Sequence, residues 1–406
     1  MNERDKAEPT PDAPPFTWPE LDNFSLVLGG PLYQLFRKTH LEDRVEDHLL
    51  WRIVVISGIV WVPLLLLCLV EGTLLGGVPI PFIGDIETHV RFLLVVPLLV
   101  LAELFVHLRI RGIVAQFIER RLIPDAELER FRAALQAAIR LRNSIGAELL
   151  IIAIVFPLGY YMRGDVLALE SSTWYAQAGN GGNTWTLAGL WFAWVSNPIY
   201  QFLAYRWYFR LFIWARFLWQ VSRIDLDLIP THPDRNAGLG FLGGSAFALS
   251  PLLIAHGTAV AGFLANSIFY AGASLTDFKL EIIVLVVYLM LMVLGPLCVF
   301  APKILAAKRK GLREYGQFTA EYMREFDRRW LRSTDRDGEA LLGAADIQSL
   351  ADIGNAFGVI KEIKALPFGR DTFVQLLAAV LIPFAPLLLT MMPLEALLDR
   401  LIGAVF

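Results

Sequence analysis

The sequence has almost no cysteine: two residues in 406, Cys68 and Cys298. Each lies in an apolar run and no Cys-x-x-Cys pair occurs, which leaves out haem attachment, iron–sulfur clusters and cysteine-zinc sites. Both read as small apolar core residues. Charge is scarce as well. Asp, Glu, Lys and Arg make up 18% of the chain, whereas a soluble domain carries about a quarter. The six histidines form no His-x-x-x-His or His-Glu-x-x-His pair of the zinc-binding kind. There is no Gly-x-Ser-x-Gly elbow and no P-loop. Gly238-Leu239-Gly240 with Gly243 has the Gly-x-Gly-x-x-Gly form, but it follows a proline-rich turn and not a strand, so the context of a dinucleotide site is missing. Residues 1–15, MNERDKAEPTPDAPP, lack the apolar centre of a cleavable signal and read as a polar, disordered tail. These absences imply no cofactor and no metal, and they weigh against an enzyme.

What the chain does have is apolar length. Hydrophobic residues make up 56%, mean hydropathy is +0.52, and the excess falls in long blocks. Stretches near 53–71, 90–108, 145–162, 186–206, 241–263, 281–302 and 372–392 are each long enough to cross a bilayer as a helix. The fold class expected is therefore all-α, a polytopic bundle of about seven spans with cytoplasmic amphipathic helices. The stretch 241–270 carries Gly243, Gly244, Pro251, Gly257 and Gly262 and reads as a long or broken helix. Pro383, Pro386 and Pro393 leave 372–406 open to either a last span or a re-entrant hairpin.

Basic residues set the orientation. Arg109, Arg111, Arg120, Arg121, Arg130, Arg132, Arg140 and Arg142 follow span two; Arg206, Arg210, Arg216, Arg223 and Arg235 follow span four; Lys303, Lys308, Arg309, Lys310 and Arg313 follow span six. The opposing loops are nearly bare: 72–89 has no Lys or Arg, 163–185 only Arg163, and 264–280 only Lys279. The expected organisation is a cytoplasmic tail over 1–50, a bundle over 51–302 with a helical cytoplasmic loop at 109–143, and a cytoplasmic helical segment over 303–371. Localisation in an inner membrane with the N-terminus cytoplasmic follows.

Two cytoplasmic pieces have helical periodicity. Leu128, Phe131, Leu135, Ala138 and Arg142 form one stripe after Pro124-Asp125, a helix-starting pair. Leu312, Tyr315, Phe318, Tyr322, Phe326 and Trp330 form an aromatic stripe flanked by arginines. Such a face suits either an anionic membrane surface or a neighbouring helix. A third short helix over 346–363 carries Asp346, Asp352 and Asn355, as a solvated face or a polar site. The partners expected are the lipid bilayer, with anionic lipids at its cytoplasmic face, and further copies of the chain; the aromatics follow the apolar period, so nucleic acid is not expected.

Ionisable groups inside spans are costly and mark function. Glu103 and His107 share a helical face in span two, Glu148 opens span three and His256 lies in span five. The Glu103–His107 pair reads either as a proton relay or as an interhelical hydrogen bond. The run PTHPDRNAGLGFLGG, Pro230 to Gly244, is the second candidate. Its prolines end one helix, and Thr231 or Asp234 can cap the next. His232, Asp234, Arg235, Gly238 and Gly240 would then surround a helix N-terminus that suits an anion such as a lipid phosphate. The plainer reading has Asp234 as the cap, Arg235 paired with Asp225 or Asp227, and glycines that pack helices.

The run His232-Pro233-Asp234-Arg235 with Gly238-Leu239-Gly240-Phe241-Leu242, and the later Ala345-Asp346-Ile347-Gln348-Ser349-Leu350-Ala351-Asp352, resemble signatures of a family of uncharacterised bacterial multi-pass inner-membrane proteins. The family pattern has glycine where this chain has Ala237. The resemblance implies an inner-membrane location and brings no activity or catalytic residues with it. Three functions remain: a transporter or channel for a small ion or solute, a signalling or assembly protein using its basic cytoplasmic helices, and a membrane enzyme acting on a phosphate-bearing lipid.

Overall fold

A computed structural model describes residues 24–27, 29, 49–166, 173–177, 184–332 and 345–391. Nine helices hold most of them: α1 Leu49–Glu71, α2 Ile86–Glu119, α3 Leu128–Arg142, α4 Ile145–Val166, α5 over 187–221, α6 Gly240–Ala271, α7 Leu275–Leu331, α8 Ala345–Lys361 and α9 Arg370–Leu388. The strands described are β1 Ala176–Gln177 and β2 Thr184–Trp185, an antiparallel ribbon of two residues each. The chain is all-α.

Five helices, α1, α2, α6, α7 and α9, are long and apolar enough to cross a membrane, and they coincide with five of the seven stretches expected. The 145–162 stretch lies on α4, which is apolar over Ile145–Pro157 and falls short of the other five. The 186–206 stretch lies on α5, whose following turns carry Arg206, Arg210 and Arg216. On α1, α4 and α7 large apolar side chains such as Val54, Leu69, Leu150, Ile154, Ile283 and Leu291 are exposed, as a hydrocarbon-facing surface requires.

Local chemistry sets the helix ends. Asp85 caps α2 by accepting from the Thr88 amide at 3.2 Å. α2 ends with Arg121 in the left-handed region, φ 53°, where the Leu122 and Arg121 amides bond back to the Phe117 and Ile118 carbonyls. Glu71, at the end of α1, accepts from the Leu187 and Ala188 amides, so a carboxylate sits on the positive end of α5. Both α2 and α5 contain one π turn, Arg91–Val95 and Phe192–Ser196, each just ahead of a proline, Pro97 or Pro198. Proline offers no amide and its ring crowds the carbonyl four residues back, so the helix widens there.

Helix ends meet in alternating order. At one level the first turns of α1 and α4 meet the second halves of α2 and α5, through Arg52, Glu148, Glu103 and Arg206. At the other, Asp85 of the α2 cap meets Asn266 near the end of α6, and Tyr270 reaches the Gly84 carbonyl. α9 runs alongside α6 in the same direction: Gly243 lies against the Pro367 carbonyl, and Gly257 against that of Val380. α6 is offset at Leu249, just ahead of Pro251, so the expected break in this span is one turn wide.

α7 continues without interruption past residue 303 to Leu331, 57 residues in all. Its aromatic stripe faces α8: the Tyr322 hydroxyl donates to the Asp346 carbonyl, Trp330 Nε1 donates to the Asp346 carboxylate at 3.0 Å, and Arg329 pairs with the same carboxylate at 3.1 Å. Tyr315 packs on the main core and Phe318 is exposed. On α3 the buried face is Phe131, Ala134, Leu135 and Ala138, close to the expected stripe.

Candidate functional site

Helix geometry places Arg206 and Arg210, four residues apart, on one face of α5. Both are buried and both point at Glu103 of α2. Arg210 Nη1 donates to Glu103 Oε1 at 2.8 Å, Arg206 Nη1 to the same oxygen at 3.4 Å, and Arg52 Nη2 of α1 to Oε2 at 2.6 Å. Arg206 Nε lies 3.9 Å from Glu148 Oε1. Side-chain exposure is 4% for Glu103 and Arg210, and 8% for Arg52 and Arg206. Taking four charges out of water is costly, and only close, multiply bonded geometry offsets that cost. Here each Glu103 oxygen has a guanidinium partner, and Arg210 also lies over the Trp207 ring at 4.9 Å.

Residues 24–27 and Gly29 lie across this cluster. The Val27 carbonyl accepts from Arg210 Nη2, the Gly29 carbonyl from Arg206 Nη2, and the Ser25 carbonyl from Arg142 Nη1. Three cations thus take backbone carbonyls from a stretch that falls within the expected tail over 1–50.

Of the four intramembrane residues expected, the structure brings Glu103 and Glu148 together through Arg206. Glu103 is held by three arginines, and His107 Nδ1 lies 2.9 Å from Ser25 Oγ. His256 sits apart. Its Nδ1 is 2.8 Å from the Leu252 carbonyl, which fixes the proton there, and its Nε2 accepts from the Tyr208 hydroxyl at 2.8 Å. Sequence reasoning missed Arg52, Arg206 and Arg210 as site residues; it counted the last two as loop charges. The signal available was their i,i+4 spacing beside buried Leu203, Trp207 and Leu211.

Next to the cluster, α1, α4 and α5 enclose a cleft of about 450 Å³. Among the described residues its lining is apolar except for Arg52 and Arg206.

The Pro230–Gly244 run folds around Asp234. Oδ1 accepts from the Asn236 and Gly238 amides at 2.8 and 3.1 Å, and Oδ2 from the Gly240 amide at 2.8 Å. His232 Nδ1 lies 3.0 Å from Oδ1. Burial pushes the Asp234 carboxyl up, but the amides of Asn236, Gly240 and Gly238, helped by His232, outweigh it and hold the carboxyl below its ordinary value. The loop needs left-handed backbone at Arg235, Ala237 and Gly238, with φ 56°, 55° and 96°. At Ala237 this is a conformation that glycine would adopt without the crowding of a Cβ. The donors expected for an external phosphate are therefore bonded to the chain's own carboxylate. Arg235 pairs with Glu362 at 3.1 Å, not with Asp225 or Asp227, and Lys303 lies near Asp225. Asn236 Nδ2 donates to the Leu366 carbonyl at 2.6 Å, and the Lys364 amide to the Arg235 carbonyl at 2.8 Å. Gly240 lies against the Asp234 carboxylate and Gly243 against the Pro367 carbonyl. The run is a joint that ties the start of α6 to the connection between α8 and α9.

No protein-family model, curated protein or solved structure matches the chain.

Proposed function

We propose that this is a multi-pass inner-membrane protein, with about seven crossings and a cytoplasmic N-terminus, that recognises an anionic ligand at the Arg52–Glu103–Arg206–Arg210–Glu148 cluster. The carrying observation is the burial of three arginines and Glu103, with the partly buried Glu148 beside them, where α1, α2, α4 and α5 converge. Buried ions add little net stability, and ionisable groups in spans mark ligand sites and pathways.

The alternating helix order supports α4 and α5 as crossings, because their ends align with those of α1 and α2. The parallel run of α6 and α9, with α7 between them in sequence, also supports alternating crossings. The exposed arginines at 109, 111, 120, 121 and 140 support the sidedness. Transport of the ligand is the form of this reading in which the anion passes the cluster.

The test is a ligand panel on purified protein in uncharged detergent: inorganic phosphate, small carboxylates and anionic lipids. Protection against thermal unfolding by at least one anion, lost in Arg206→Gln, supports the reading. Indifference to every anion refutes it.

A second reading, a signalling or assembly role, rests on α7. One unbroken helix joins the bundle to the α8 platform, with Arg313, Arg324 and Arg328 exposed beside it. Co-purification of a soluble partner that is lost on deletion of 345–361 would favour it.

A further inference from the structure

We propose that the cleft between α1, α4 and α5 is a binding site for one anionic membrane lipid, with an acyl chain in the cleft and the phosphate on Arg52 and Arg206. The inference rests on the anion-recognition reading above and names its ligand class.

Three observations carry it. The cleft holds about 450 Å³, within the range of about 300–1,000 Å³ typical of small-molecule sites. Its charged lining, among the described residues, is cationic only: Arg52 and Arg206 line it, and Glu103 and Glu148 do not. Its rim is apolar and open. Ile59, Ile152, Phe156 and Trp194 line it and are 45%, 40%, 42% and 52% exposed. An aqueous solute gains nothing from such a rim, whereas a chain already in the bilayer enters sideways without crossing water.

The direction also fits. Arg52 lies in the first turn of α1 and Ile59 seven residues on, so the cleft rises about 10 Å along α1 from its charged end. Along α5, Arg206 to Pro198 is about 12 Å. The cations stand at headgroup depth and the apolar walls extend towards the bilayer centre, the polarity of a lipid in the inner leaflet. A guanidinium has five N–H donors, so Arg206 can keep Glu103 and Glu148 and still meet a phosphate oxygen.

The test measures binding of phosphatidylglycerol and phosphatidylcholine to the full chain in uncharged detergent, by native mass spectrometry and by quenching with brominated acyl chains near Trp194. The expected result is one phosphatidylglycerol per chain, held at least about tenfold more tightly than phosphatidylcholine. Arg206→Gln removes the headgroup preference. Because that change also disturbs a buried ion pair, Ile152→Trp is the second variant: it fills the cleft from an exposed rim position and expels the lipid while the cluster stays intact. Equal binding of both lipids, or full binding in Ile152→Trp, overturns the proposal. Protection by inorganic phosphate or carboxylates without lipid binding also overturns it, and leaves the anion-recognition reading standing. If no anion binds, both fall.

Discussion

Glu103→Gln is the most informative single change in the molecule. Glutamine keeps the volume and one acceptor oxygen, which can still take the 2.8 Å bond from Arg210. It turns the other oxygen into an NH2 group facing Arg52, where a 2.6 Å charge-assisted bond stood, so donor meets donor. The change also removes the one carboxylate shared by three guanidiniums. Arg206 retains Glu148 at 3.9 Å and the Gly29 carbonyl, and Arg210 retains the Val27 carbonyl and the Trp207 ring; neither replaces the central charge. Leaving a buried charge uncompensated costs about 3–5 kcal/mol, against a total stability of about 5–15 kcal/mol for a typical fold. Unfolding in mild detergent, followed by intrinsic tryptophan fluorescence, measures the loss, with Trp207 against Arg210 as the local reporter. Coupling is the sharper readout. Glu103→Gln combined with Arg210→Met should cost less than the sum of the two single changes, by about 0.5–3 kcal/mol. A single variant within about 0.5 kcal/mol of the parent, as at an unconstrained surface position, would refute the view that Glu103 holds the cluster together.

Two further tests address the α6–α9 contact and the Asp234 loop. A Cβ at Gly257 would stand 2.4 Å from the Val380 backbone carbonyl, while at Gly112 nothing lies within 4 Å; Gly257→Ala should push α9 from α6 and cut the folded yield in size-exclusion chromatography, whereas Gly112→Ala should stabilise α2 by about 0.5–1 kcal/mol, and equal behaviour of the pair would sink the packing argument. The Asp234 carboxyl is held below its ordinary value of 3.8, so the stability it lends is present above the unfolded value of about 3.9 and is lost as pH falls through the lower folded one. Hydrogen exchange at the Asn236, Gly238 and Gly240 amides, corrected for intrinsic rates, should keep its protection down to acid pH in the parent and lack it throughout in Asp234→Ala; a loss that begins near neutral pH contradicts the assignment.

Periodicity and apolar length carried much of the fold into the sequence. α1, α2, α6, α7 and α9 are legible because a bilayer demands long runs of apolar side chains and leaves few alternatives. Arg206 and Arg210 were legible as cations and misleading as loop charges. Their partner Glu103 lies 103 and 107 residues away, and no local pattern links the two. The Asp234 joint was half legible. Prolines and glycines announced a turn, but the carboxylate reaches three amides only because Arg235 and Ala237 adopt left-handed backbone, which neither residue favours on its own. The role of Ser25, Val27 and Gly29 had no signal at all, since it is made largely by carbonyls, which every residue has.

The sequence distances within the cluster also set an order of assembly. Arg52 precedes Glu103 by 51 residues, whereas Arg206 and Arg210 follow it by 103 and 107. At about 5–20 residues per second, a ribosome needs about 5–20 s to go from Glu103 to Arg210. Through that interval the α2 carboxylate has emerged and its two α5 partners do not yet exist. Of the three arginines, Arg52 is then the one already made when Glu103 emerges, and α5 completes the cluster later.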